Sequence, residues 1–356
     1  MAFHSSTSPH AVTLGRTGLV VARNGFGALP IQRISLSEAG RLLERALDNG
    51  FDFIDTARFY TDSEEKIGRA LHHRRDDFTL ATKTQAQNAA AFWRDLETSL
   101  ALLKTDHVDL YQFHNPSFVP RPDGPDGLYA AMLKAREQGK IRFIGITNHR
   151  LQLARDAVAS GLYDTLQYPF SYLSSDEERA LVRACGESRI GFIAMKALAG
   201  GLITDARLAY AFQASFGNSL PIWGIQREGE LDAFIAAARG DVSLSAADEA
   251  RMAADRRELA GAFCRGCGYC LPCPEGIAIN DCARMTLMLR RAPHAVYLTE
   301  GFRAKMERAA HCRQCGLCRS RCPYHLDIPR LLAENVADFE RVWSQRARAA
   351  AQGEGR

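Results

Sequence analysis

An α/β fold is predicted, a (β/α)8 barrel followed by a small, mostly helical cysteine-rich domain, and three features predict it. Short β-branched or aromatic runs, each ending in a polar residue, occupy 51–55, 78–83, 108–114, 142–148, 165–168, 191–196 and 220–224, and an opening strand near 24–27 makes eight. Stretches of helical period alternate with them. Beyond residue 256 this alternation stops, and eight of the ten cysteines fall in two runs.

The first helical stretch, 36–48, carries its apolar stripe on Leu42, Leu43, Ala46 and Leu47, and 91–103 and 130–138 read the same way. Eight strand-then-helix units fit a barrel whose chemistry sits where the strands end. A doubly wound sheet is the structural rival. It is disfavoured because the first turn, Gly25-Phe26-Gly27, is too short to be a G-x-G-x-x-G phosphate loop. The domain boundaries expected are 1–10 for a disordered tail, 11–256 for the barrel, 257–330 for the cysteine-rich domain and 331–356 for a C-terminal helix and tail.

Composition excludes several classes. The 356 residues are 46% hydrophobic and 24% charged, and no apolar run approaches the roughly 20 residues that span a bilayer, so no membrane partner is expected. The net charge of +4 hides an asymmetry: residues 257–356 hold 16 Lys or Arg against 10 Asp or Glu, leaving 29 against 31 in the first 256. With no aromatic or Gly-rich binding module beside this basic excess, nucleic acid is not expected as a partner. Arg near anionic metal clusters, or a dock for an acidic electron carrier, accounts for it better. Residues 1–10 lack the charged, apolar, cleavable pattern of an export signal, so a cytoplasmic protein with reduced thiols is expected.

The cysteine runs are Cys264, Cys267, Cys270, Cys273-Pro274 and Cys312, Cys315, Cys318, Cys322-Pro323. Three thiolates at x2 spacing converge on one cluster, and a fourth before a proline reaches a neighbouring one. Zinc is the rival, because tetrahedral sulfur suits either metal, but zinc modules usually pair two C-x2-C knuckles. Both runs read C-R-x-C-G-x-C, and after each Cys-Pro an aliphatic residue and an Ile recur as Ile277 and Ile279, then Leu326 and Ile328. This internal duplication resembles a bacterial dicluster ferredoxin, which implies two 4Fe-4S clusters in a ferredoxin-like domain. The resemblance also implies a crossover: Cys264, Cys267, Cys270 and Cys322 for one, and Cys312, Cys315, Cys318 and Cys273 for the other. The first run departs from the ferredoxin pattern, with only Leu271 and Pro272 before its last cysteine. Cys185 and Cys282 are left over as small buried residues. Helices are expected over 281–291, ended by Pro293, over 301–310 and over 331–343, with 346–356 a frayed tail.

Asp55, Tyr60, Lys83 and His114 stand at or just past strand ends. A phenol with an ordinary pKa near 10 is a poor acid near neutrality unless a cation sits beside it, and Lys83 is that cation. Asp55 holds Lys83 charged, and His114 orients a carbonyl and shares its developing negative charge. Singly these residues read as a helix cap, a half-buried loop phenol, a solvated lysine and a core histidine. Their motifs, Asp55-Thr56-Ala57-Arg58-Phe59-Tyr60, Ala81-Thr82-Lys83, Asp109-Leu110-Tyr111-Gln112-Phe113-His114 and Ile144-Gly145-Ile146-Thr147-Asn148, make the segment 14–239 resemble an aldo/keto reductase.

That resemblance implies a catalytic tetrad of Asp55, Tyr60, Lys83 and His114, a small carbonyl substrate and NADP (or NAD) as cofactor. It implies further that Thr147, Asn148 and Gln167 hold the nicotinamide carboxamide, and that Met195 stands where an aromatic usually stacks on the ring. A thioether packs acceptably there, and a core methionine is the plain alternative. Around Gly224, where members preferring NADP place Lys and Arg, this chain has Gly224 and Glu230, with Arg227 close enough to restore phosphate binding. A carboxylate repels a phosphate and favours a ribose hydroxyl. Some members carry a ferredoxin-like extension, and the chain resembles that subgroup. The other functions weighed are an electron-transfer or redox-sensing protein, exchanging single electrons with a partner such as a ferredoxin or flavodoxin, and a zinc-braced structural protein.

Overall fold

The computed structural model describes residues 6, 8, 10–259, 263–291 and 296–353. The bulk of the expected N-terminal tail, Pro293 and residues 354–356 lie outside the described residues. Two compact units form, Met1–Ala197 with Asp205–Met252, and Leu198–Thr204 with Ala253–Arg356.

The first unit opens with an antiparallel hairpin, β1 (Ala11–Thr13) and β2 (Val20–Ala22). Eight parallel strands then close a barrel: β3 (Gly25–Gly27), β4 (Phe53–Asp55), β5 (Thr79–Thr84), β6 (Val108–His114), β7 (Ile141–Thr147), β8 (Thr165–Pro169), β9 (Gly191–Met195) and β10 (Ser219–Gly224), with β10 pairing β3. The eight-strand barrel of the sequence is therefore present. The hairpin was not foreseen. Its Val12, Leu14, Leu19 and Val21 pack on Phe53, Ala81, Leu110, Ile193 and Leu220 inside the barrel, and the Ala22 N–H donates to Asp52 Oδ1 at 2.8 Å. Ser6 is placed as well, its N–H donating to the Val20 carbonyl at 3.0 Å.

Local chemistry sets the helix starts. Ser35 accepts from the Glu38 N–H at 3.2 Å while the Glu38 carboxylate accepts from the Ser35 N–H at 2.9 Å, a reciprocal cap that fixes helix Leu36–Asp48. Ser175 and Glu178 repeat the device ahead of Asp176–Glu187. Each such cap contributes about 1 kcal/mol.

The second unit differs from expectation in two places. The stretch 281–291 is two short helices, Ile279–Cys282 and Met285–Arg291, interrupted at Ala283 and Arg284. The closing helix runs Ile328–Gly353, longer than 331–343, because Pro329 sits in its first turn, where no N–H is needed, and the Ala- and Arg-rich tail favours helix. Helix Glu300–Ala310 matches its prediction to one residue. This unit's core gathers Cys264, Cys270, Cys318 and Cys322 with Ile277, Ile279, Met306, Leu326, Ile328, Leu332 and Phe339. Among the described residues no helix is long and apolar enough to cross a membrane.

Candidate active site and cysteine centres

Strand alternation and barrel tilt bring the four polar residues together. Asp55 pairs in register with Ala81, and Lys83 is two residues beyond Ala81; Lys83 pairs with Gln112, and His114 is two beyond Gln112. Residues two apart share a strand face, so each strand supplies one inward side chain at the C-terminal rim. His114 is in turn level with Thr147, and Thr147 with Gln167.

Lys83 and Asp55 form a fully buried pair, at 1% and 2% side-chain exposure, with Nζ 2.6 Å from Asp55 Oδ2 and 2.7 Å from the Thr56 carbonyl it also donates to. Burial pushes the Lys83 ammonium down and the Asp55 carboxyl up, and each partner's charge opposes the other's shift. The plain alternative, a solvated lysine, is excluded. Gln112 Nε2 donates to the second Asp55 oxygen at 3.4 Å. It fits because β7 has Gly145 opposite, where a Cβ would lie 2.8 Å from Gln112 Cγ. Gln112 was missed as a site residue, although its two-residue spacing from His114 places it on the inner face.

Tyr60 is half-buried beyond β4. Its ring lies 5.3 Å from Lys83 Nζ and 5.7 Å, edge-on, from the His114 ring. Phe59, 68% exposed, has its ring 6.5 Å, edge-on, from that of His114. His114 Nδ1 is buried with no hydrogen-bond partner among the described residues. Burial, then the charges of Lys83 and Lys196, push the His114 pKa down to about 3, so the ring is neutral at physiological pH.

The sign of that shift gives a prediction. The unfolded chain takes up a proton at this position near the ordinary value of about 6.5, whereas the folded chain resists until about pH 3. Stability is therefore complete above that range and falls, with a slope of up to one proton, as pH drops through it. Denaturant titrations at stepped pH check this, and a His114→Gln variant is expected to flatten that part of the profile. An unchanged slope in the variant removes the assignment of a buried neutral imidazole.

The cofactor candidates take several settings. Thr147 Oγ1 accepts from the Asn115 N–H at 3.0 Å, and Asn148 is held by the Pro116 carbonyl and the Arg150 N–H at 3.0 and 2.8 Å. Gln167 Oε1 is buried without a partner among the described residues. Met195 is partly buried and packs on the barrel-interior cluster. Gly224 is exposed at the end of β10. Glu230 turns back on its own helix, Glu228–Arg239: its carboxylate accepts from the Gln226 N–H at 2.9 Å and from Arg227 Nε at 2.9 Å.

In the second unit, Cys264, Cys267, Cys270 and Cys322 lie close enough for their charges to act on one another, as do Cys312, Cys315 and Cys318. Cys273 and Cys270 join the latter three in lining a cavity of about 140 Å³, whose wall also includes Ile277, Ile279, Leu332, Glu275 and Arg313. Among the described residues no three His, Cys, Asp or Glu side chains converge on a single-ion site. Thiols around an apolar cavity suit a cluster larger than one ion, and the Gly266 N–H, donating to Cys264 Sγ at 3.4 Å, is the kind of contact that stabilises a ligating sulfur. Cys185 and Cys282 are fully buried, and burial pushes both thiols up to about 12.

Residues 23–216 match the model of the aldo/keto reductase family, and residues 263–327 match that of a 4Fe-4S dicluster domain. The chain is 27% identical over 219 residues to the uncharacterized oxidoreductase YqkF of Bacillus subtilis, covering 58% of this chain and 70% of that protein. It is 29% identical over 216 residues to the aldo-keto reductase YhdN of the same organism, covering 54% and 63%. A crystal structure of an aldo-keto reductase from Klebsiella pneumoniae in complex with NADPH superposes with a TM-score of 0.59 at 23% identity, covering 68% of this chain and 93% of that one.

Proposed function

This chain belongs to the aldo/keto reductase family, and from that membership we propose that it reduces an aldehyde or ketone with NAD(P)H, or runs the reverse reaction, and carries two 4Fe-4S clusters. The observation that carries the catalytic half is the buried Lys83–Asp55 pair beneath the Tyr60 ring, with a neutral His114 across from it.

The bound nicotinamide supplies a hydride to the carbonyl carbon. Tyr60 gives its hydroxyl proton to the carbonyl oxygen, and the Lys83 ammonium stabilises the phenolate left behind. Asp55, held by Lys83 and Gln112, keeps that ammonium aimed. A neutral His114 donates from one ring nitrogen to the same oxygen without adding a competing proton source. Gln167, with its unpaired buried Oε1, fits a carboxamide N–H, and Thr147 and Asn148 sit level with it or next in the chain. Met195, partly buried at the end of β9, would offer its thioether to the nicotinamide ring. Phe59 offers an exposed apolar wall to the substrate.

At the far end of the cofactor site, the Arg227–Glu230 pair weighs NADP against NAD. Glu230 holds the guanidinium that would grip a 2′-phosphate. The Glu230→Gln variant is expected to shift the ratio of NADPH to NADH dissociation constants about tenfold toward NADPH, the effect of one charge-assisted contact of about 1.4 kcal/mol. An unmoved ratio would remove Glu230 and Arg227 from the cofactor site.

The reading as a whole is tested on anaerobically purified protein, by oxidation of NADPH and of NADH with a panel of aldehydes and ketones, together with iron and sulfide counting. Aldehyde-dependent oxidation and about eight irons per chain are expected. The absence of any carbonyl-dependent turnover, or zinc in place of iron, would overturn the corresponding half. One observation favours a second role. Cys315 is exposed, which brings the second centre to the surface and suits exchange of single electrons with a carrier such as a ferredoxin or flavodoxin.

A further inference from the structure

The two halves of the cysteine unit repeat each other in backbone as well as in sequence. Gly266 and Gln314 share φ of +64° and +54°, Gly268 and Gly316 +80° and +79°, and Gly276 and His325 +66° and +52°. The N–H groups of Gly276 and His325 donate to the carbonyls of Cys273 and Cys322 at 2.9 and 3.2 Å, and those of Ile279 and Ile328 to Ile277 and Leu326 at 2.9 Å each. Ile279 and Ile328 then both open helices.

Five residues further on, the copies diverge: the first has Arg284 and the second Ala333. Arg284 Nη1 is buried and has no hydrogen-bond partner among the described residues. Two glycines make room for it, since a Cβ on Gly266 would lie 2.6 Å from Nη1 and one on Gly200 2.4 Å from it. Gly266 belongs to the first cysteine run, and Arg284 is among the charges that act on the Cys264 sulfur. A buried charged donor left unsatisfied is costly, and a cluster's anionic sulfur is the partner that the position offers. The second copy has no arginine at the equivalent position, where Ala333 is exposed. The arginines beside the second centre, Arg313 in the wall of its cavity and Arg319 next to Cys318, are themselves exposed and already paired with Glu275 at 3.1 Å and Asp327 at 2.6 Å. Surface charges of that kind are screened.

Resting on the two-cluster reading above, we infer that Arg284 donates to the centre held by Cys264, Cys267, Cys270 and Cys322 and raises its reduction potential above that of the centre held by Cys273, Cys312, Cys315 and Cys318. A cation in a low-dielectric site favours the more negative, reduced state. An external one-electron donor is oxidised by one electron at the exposed Cys315 side, and that electron comes to rest on the first centre, with no proton or bond exchanged.

The test is a potentiometric titration followed by EPR on anaerobic full-length protein, comparing the parent with Arg284→Leu and Arg284→Lys, after iron and sulfide counting. In the Leu variant one of two midpoint potentials is expected to move negative while the other stays, and Lys is expected to restore part of the shift. If the Leu variant fails to assemble, Arg284→Gln keeps donors without charge and is expected to show the same one-sided shift. About eight irons with both potentials unmoved, or both moved together, overturns this inference alone. About four irons overturns the two-cluster reading and this inference with it.

Discussion

Tyr60→Phe is expected to lower kcat for carbonyl reduction by about 10²- to 10⁴-fold, the usual worth of a positioned general acid. Dissociation constants for NADPH are expected to stay within about threefold, because only transition-state proton transfer is lost. The substitution keeps the ring and the turn that carries it. The ring's contacts with His114 and with the Lys83 ammonium, at 5.7 and 5.3 Å, need no hydroxyl, and the backbone turn that carries it, with Tyr60 N–H on the Ala57 carbonyl at 2.9 Å, is untouched. Single-turnover kinetics beside a ligand-binding titration check the split. Undiminished reduction would remove Tyr60 as the acid. Lys83→Met is a poorer probe, since it leaves the Asp55 carboxylate buried without its cation, a defect of about 3–5 kcal/mol that confounds chemistry with stability.

How far the sequence carried depends on whether a signal is local. Val108–His114 and Leu36–Asp48 are seen at their predicted bounds, because an uninterrupted β-rich run and a capped amphipathic stripe each decide their own structure. The β1–β2 hairpin was invisible, for three-residue strands carry no period and exist only through packing on the barrel interior. The burial of Arg284 Nη1 was invisible for the same kind of reason, since the room for it comes from Gly200 and Gly266, distant in sequence. At the candidate site, the ends of the strand motifs pointed to the rim residues Asp55, Lys83 and His114, and parallel register brings them together. Glu230 shows the opposite case. A carboxylate three residues into a helix serves its own N-terminus as readily as a ligand, and nothing in the local sequence distinguishes the two.

Removing iron is expected to unfold the second unit while leaving the barrel folded. Four of the cysteines assigned to the clusters, Cys264, Cys270, Cys318 and Cys322, are part of this unit's hydrophobic core, so the centres stand where a larger domain would place apolar side chains. Its helices Ile279–Cys282, Met285–Arg291 and Leu317–Arg321 are too short to persist alone, and its turns hold Gln314 and His325 at positive φ, a conformation that is unfavourable for a residue other than glycine. Burial pushes the Cys264 and Cys270 thiols up, so without a metal they revert to neutral groups that hold nothing together. The barrel has its own core of strand and hairpin side chains, with no cysteine of either run in it. After anaerobic chelation, limited proteolysis is expected to cut beyond Met252 and leave a resistant fragment that still binds NADPH, while helical circular dichroism drops in parallel with the absorbance near 400 nm. Persistence of protection beyond Met252 in iron-free protein would show that the clusters are guests in a domain that folds without them.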